Sequence, residues 1–208
     1  MPNSWYSKII SCFTILIVCL CMTAFSENSG VSQLSIDKLA RIFSIEDHSE
    51  RYTTLQKLYN KSNRYEQFLI LPIICKTAIM VDKVGAAKKY ANVLLNMSKE
   101  YSESWNYGNA IHDGNTVLGM VALRENNIND AKLHLLNAAN TKPSPQLKSF
   151  GPSLMLADAL IERNEIDAVK KYFSMMKKIW QNDDGQLDSW ISTLDKGGHP
   201  YLKQQLLK

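Results

Sequence analysis

The sequence predicts an all-helical protein built from short helix pairs. Three observations carry that expectation. Apolar residues recur at helical spacing along most of the chain, no long stretch alternates apolar and polar residues as a strand would, and glycine and proline are few and clustered at breaks. The chain has 208 residues with 24 basic and 20 acidic side chains. A net charge of +4, with no basic run longer than two, speaks against a nucleic-acid partner or an anionic membrane surface.

The first segment is read apart from the fold. "MPNSWYSK" carries Lys8 and no acid, and the uncharged apolar run that follows reaches Phe25. Ala24 and Ser26 are small residues two apart, as signal-peptidase cleavage prefers. Residues 1–26 are therefore expected to be a secretory signal peptide, with cleavage before Glu27, and residues 27–208 the helical-repeat domain. The alternative is an uncleaved N-terminal membrane anchor. Ile9 to Phe25 is 17 residues, at the low edge of the roughly 17–25 that span a bilayer. Leu20 before Cys21 argues against a lipoprotein. Cys12, Cys19 and Cys21 fall in this segment, which leaves Cys75 alone and no internal disulfide.

Taken in order, "SIDKLARIF" places Ile36, Leu39, Ala40 and Phe43 on one stripe behind Ser35 as N-cap. "SERYTTLQKLYN" aligns Tyr52, Leu55 and Tyr59 and is expected to stop near Asn60 to Asn63. "RYEQFLILPIICKTAIMV" is the most apolar helix, with Pro72 in its middle to kink or divide it. "GAAKKYANVLLNM" aligns Ala87, Ala91 and Leu94. "GNAIHDGNTVLGMVALRE" and "NINDAKLHLLNAAN" form the next pair, "KPSPQLKSFGP" reads as a turn-rich break, and "SLMLADALIERN" with "EIDAVKKYFSMMKKIW" makes another pair. A last helix, "LDSWISTL", ends at Gly197-Gly198.

Within this succession Leu118-Gly119, Ala122, Ala131, Leu135, Ala138 and Pro143 fall at the offsets of one packing unit. Small residues let two helices approach, and a bulky residue fills the gap between neighbouring pairs. Over residues 112–145 the pattern resembles the tetratricopeptide repeat, except that Asn115 stands where that repeat carries an aromatic residue. Ala168, Tyr172 and Met175, after "LADALIERN", read as a second copy, and Ala87, Ala91 and Leu94 as a third, at spacings of 37 and 44 residues. The resemblance implies a short irregular solenoid of tetratricopeptide-like helix pairs. "GNAIHDGN" and "SPQLKSFGP" also resemble segments of a group of uncharacterised bacterial helical proteins, a likeness that implies no activity.

The chemistry centres on "GNAIHDGN". Asn109, His112, Asn115 and Gly119 share a helical stripe, and Asn115 interrupts its apolar side. Two readings follow. In one, Asn115, helped by His112, clamps the "PSPQLKSFGP" turn, since a buried amide needs partners. In the other, Asn109, His112, Asn115 and Gln146 line a pocket for a small polar ligand. No metal is expected, because His48, His112, His134 and His199 lie far apart and one cysteine supplies no thiolate set. No cofactor and no catalytic residue are expected. Cys75 sits in an apolar helix, Asp183-Asp184 reads as a solvated turn, and neither a nucleophile elbow nor a phosphate loop occurs. Trp105, Trp180, Trp190, Tyr101, Tyr107, Tyr172 and Phe173 are expected to pack between helices or, alternatively, to line a groove for a peptide. The functional expectation is an exported module, periplasmic or secreted, that binds or scaffolds another protein. It would touch a membrane only through an uncleaved N-terminal segment. The alternative is a small-ligand binder or remote enzyme.

Overall fold

The computed structural model describes Leu34 and residues 36–202, and the expected signal peptide lies outside them. Ten α-helices occur among the described residues: α1 Ile36–Phe43, α2 His48–Lys61, α3 Arg64–Met80, α4 Val84–Glu100, α5 Tyr107–Arg124, α6 Ile128–Ala138, α7 Pro145–Phe150, α8 Met155–Ile161, α9 Ile166–Met176 and α10 Gln186–Asp195. The protein is all-α. None of these helices is long and apolar enough to cross a membrane.

The chain divides into two compact units between Ile70 and Leu71. In the first, α1 packs on α2. Asp47 caps α2 by accepting from the Glu50 N–H at 2.7 Å. The buried Glu66 carboxylate accepts from the N–H of Leu34 at 3.0 Å and of Asn63 at 3.0 Å, while Asn63 Oδ1 accepts from Glu66 N–H. This reciprocal arrangement is a capping box that also pins Leu34. The helix α3 runs through Pro72 without a break, so the proline does not divide it.

In the second unit α5 packs along α4 and α6, α8 along α9, and α9 along α10. Between pairs, α5 meets α8 and α6 meets α9. Thirteen of the 18 residues of α5 are buried, far more than one face of a surface helix, which makes it the central element. The aromatic residues Tyr172, Phe173, Trp180 and Trp190 are buried in a core with Leu135, Leu156, Leu160 and Leu187. Their rings succeed one another in the order Tyr172, Phe173, Trp190, Trp180, at centroid distances of 5.9, 5.6 and 6.0 Å.

One turn recurs four times. Asp82, Asn126, Asn164 and Gly197 hold φ of 57°, 57°, 60° and 74°. In each case that residue's N–H bonds the carbonyl three back, and the next residue's N–H bonds the carbonyl five back. The latter bonds run from Lys83 to Ala78, Asn127 to Ala122, Glu165 to Leu160 and Gly198 to Thr193, at 2.8–3.0 Å. This is a left-handed helix stop in which short polar side chains or glycine tolerate positive φ. The first three turns set one burial register. Cys75, Gly119 and Ala157 lie seven before the turn residue; Ala87, Ala131 and Val169 lie five after it. Leu202 lies five after Gly197. All are buried.

Counted from the turn residues, the buried positions after Asn164 stand one residue later than the sequence pattern aligned them. Val169, Phe173 and Met176, all fully buried, occupy the places of Ala131, Leu135 and Ala138, not the adjacent Ala168, Tyr172 and Met175. Ala168 and Met175 are only half-buried. Measured between successive turn residues, the spacings are 44, 38 and 33. The residue six beyond each of the first three turns is a lysine paired with an acid beside the following turn: Lys88 with Glu125 at 2.8 Å, Lys132 with Glu165 at 2.9 Å, and Lys170 with Asp195. Exposed pairs of this kind add little stability, yet each repeats one contact in the same register.

A further correction concerns "KPSPQLKSFGP". It is not only a break, because Ser144 caps a short helix, α7, by accepting from the Leu147 N–H at 3.0 Å, with Pro145 at the first helical position.

Candidate functional site

The polar residues of α5 are buried as the sequence suggested, but they divide into three separate arrangements. At the start of the helix, Asn109 Nδ2 donates to Asn106 Oδ1 at 2.9 Å and to Gln146 Oε1 at 3.1 Å, and Asn109 Oδ1 accepts from the Ser144 hydroxyl at 2.6 Å. Gly108 makes this closeness attainable. A Cβ there would lie 2.4 Å from the Lys142 carbonyl oxygen and 2.8 Å from the Ser144 backbone nitrogen. Asn109 is thus the residue that holds the 143–147 turn.

One turn further along, His112 is fully buried. Its Nδ1 lies 3.2 Å from Asp113 Oδ1 and its Nε2 2.9 Å from the Tyr172 hydroxyl on α9. The other Asp113 oxygen pairs with Lys76 Nζ of α3 at 2.8 Å. Burial alone would raise the Asp113 carboxyl. The Lys76 ammonium and the His112 imidazole outweigh it and hold the group below its ordinary range. Burial, with the Asp113 charge adding, pushes the Tyr172 phenol up. In a neutral imidazole that donates Nδ1–H to Asp113, Nε2 accepts and the tyrosine hydroxyl donates. Ion pair, imidazole and phenol form one chain of contacts joining α3, α5 and α9.

Asn115 forms the third arrangement, and its expected role is not the one it fills. Its Nδ2 donates to the Ile111 carbonyl at 2.9 Å, and its Oδ1 lies 3.0 Å from His134 Nδ1 on α6. It bonds its own helix and the partner helix of its pair, not the turn, because the turn docks at the first turn of α5, well before position 115. Burial, opposed by Asp130, holds His134 below the ordinary histidine range. The four sequence candidates therefore do not converge. Asn109 meets Gln146, while His112 and Asn115 each look to a different helix.

Lys76, Asn106, Ser144 and His134 take part in these contacts without having been selected from sequence. Lys76 carried a signal: it is a lone charge inside "PIICKTAIM", where a buried ammonium requires a partner. Cys75 beside it is buried, and burial together with Asp113 pushes its thiol up, away from the reactive thiolate. Asp183 is more than a solvated turn residue, since its carboxylate accepts from the Leu187 N–H at 3.1 Å at the start of α10. Among the described residues no group of three or more His, Cys, Asp or Glu could hold a metal ion. Set against protein-family models, curated proteins and solved structures, the chain matches none.

Proposed function

We propose that the chain is an exported helical-repeat protein whose work is to bind or scaffold another protein. The observation that carries this reading is the recurring turn and the burial register that its first three copies share. Units of this kind bury a common core by stacking on their neighbours, and the stack leaves a long helical surface for a partner. The meeting of α5 with α8 and of α6 with α9, first helix on first and second on second, supports the solenoid of tetratricopeptide type. So does the repeated lysine–acid pair.

The His112 arrangement favours architecture over chemistry. His112 is wholly enclosed, and both its nitrogens are engaged by Asp113 and Tyr172. A general base must reach the proton it takes.

The test is co-purification from the envelope fraction of the source cells, with the tagged protein as bait. One protein retained in near-equal amount, and lost when the helices are unfolded, is the expected result. Retention of nothing beyond what an unrelated exported helical protein retains would overturn the proposal.

A further inference from the structure

We propose that the N-terminal end of α5 is a binding site for a carboxylate, held by the side-chain amides of Asn106 and Asn109 and the first-turn backbone N–H groups. Three observations meet there. Asn106 is 4% exposed, and its Nδ2 has no hydrogen-bond partner. Its Oδ1 accepts from Asn109 Nδ2, which turns the free amide group into the same cluster as Asn109 and Gln146. A buried donor left unpaired is unfavourable, so its persistence points to an acceptor from outside the chain.

The second observation is the helix end itself. α5 has 18 residues, no acid in its first turn and no side-chain cap on its first amides. The N–H groups of Gly108 and Asn109 have no intrahelical carbonyl to meet, and the positive end of the helix favours an anion over a neutral acceptor. The other helices with a first-turn acid or an Asp, Asn or Ser cap, such as α2, α6 and α7, supply their own acceptor. The third is Gln146, only half-buried, which sets its Oε1 on Asn109 Nδ2. That oxygen marks where a ligand oxygen would sit. When the Gln146 side chain swings outward, one carboxylate oxygen takes its place on Asn109 and the other meets Asn106 Nδ2.

The site stands apart from the repeat-scaffold proposal, and failure to capture a protein partner leaves it untouched. The experiment is an acetate titration of the ¹⁵N-labelled protein at constant ionic strength, with acetamide as the neutral control. Saturable shifts of the Gly108 and Asn109 amides and of the Asn106 side-chain NH₂ are expected with acetate and not with acetamide. Gln146→Ala, at a half-exposed position, removes the competing oxygen and should tighten acetate binding roughly three- to tenfold, the worth of one exchanged hydrogen bond. Asn106→Asp keeps an oxygen for Asn109 and places a carboxylate in the site, so acetate shifts should vanish. The proposal is overturned by equal responses to acetate and acetamide, by shifts that survive in Asn106→Asp, or by a crystal grown in acetate with only a water on Asn106 Nδ2.

Discussion

The Nε2 of His112 lies 2.9 Å from the hydroxyl of Tyr172, 60 positions further along the chain, and both residues are at most 1% exposed. This bond ties the central helix to α9, next to the Lys76–Asp113 ion pair that meets the other His112 nitrogen. Tyr172→Phe removes the donor and keeps the ring against Phe173. It should destabilise the protein by about 1–3 kcal/mol, because His112 Nε2 is left buried without a partner. Chemical denaturation of the two proteins checks this, and an unchanged midpoint would mean that the bond contributes nothing.

Asp113 makes stability pH-dependent in a definite direction. Its pKa is depressed in the folded state, so its contribution is fully present above the unfolded value of about 3.9 and is lost as pH falls through the folded value. Melting temperatures should therefore fall in acid below about pH 4. Asp113→Asn should be destabilised at neutral pH, toward the lower end of about 3–5 kcal/mol because Lys76 keeps some contact with solvent. Its acid decline should be shallower. Parallel curves for the two proteins would contradict the assignment.

The turn after α6 depends on Asn109 more than on Asn115. Asn109→Ala breaks bonds to Asn106, Gln146 and Ser144 and should destabilise by about 2–3 kcal/mol, whereas Asn115→Ala loses the half-exposed His134 contact and should cost about 0.5–1.5 kcal/mol. Hydrogen exchange in residues 143–150 should accelerate in the first variant and stay unchanged in the second. The reverse order would restore the role that the sequence suggested for Asn115.

The helices were legible because their apolar stripes are, and the buried polar face of α5 was legible because Asn115 breaks such a stripe. Partners were not. A helical wheel tells that Asn109, His112 and Asn115 share a side, but their partners Ser144, Tyr172 and His134 belong to three different elements placed by tertiary packing. The one-residue offset between Val169 and the sequence-aligned Ala168 is invisible in the apolar pattern, because the fixed point is the turn residue Asn164. Once it is aligned with Asn126, Val169 falls on Ala131. The helix α7 was hidden by its prolines, although Ser144-Pro145 is a cap followed by the one helical position where proline is favoured.

Export is tested at the N-terminus. Lys8, the uncharged run to Phe25 and the small residues Ala24 and Ser26 predict removal of the first 26 residues. N-terminal sequencing of the protein recovered from its source cells should begin at Glu27 or next to it, and an intact Met1 on a membrane-bound product would establish an anchor instead.

The stacking of helix pairs on which the proposed function rests meets its most direct test at Gly119. A Cβ at this buried position would lie 2.2 Å from Leu156 Cδ2 and 3.2 Å from its Cγ, so the Leu156 side chain of α8 seats directly on the bare backbone of α5 here. Gly119→Leu should destabilise by about 1–3 kcal/mol through overpacking. Measured again in a Leu156→Ala background, the same substitution should cost at least about 1 kcal/mol less, because the two positions share one space. Effects that add to within about 0.5 kcal/mol, or a Gly119→Leu protein that melts higher than the original, would contradict the stacked arrangement.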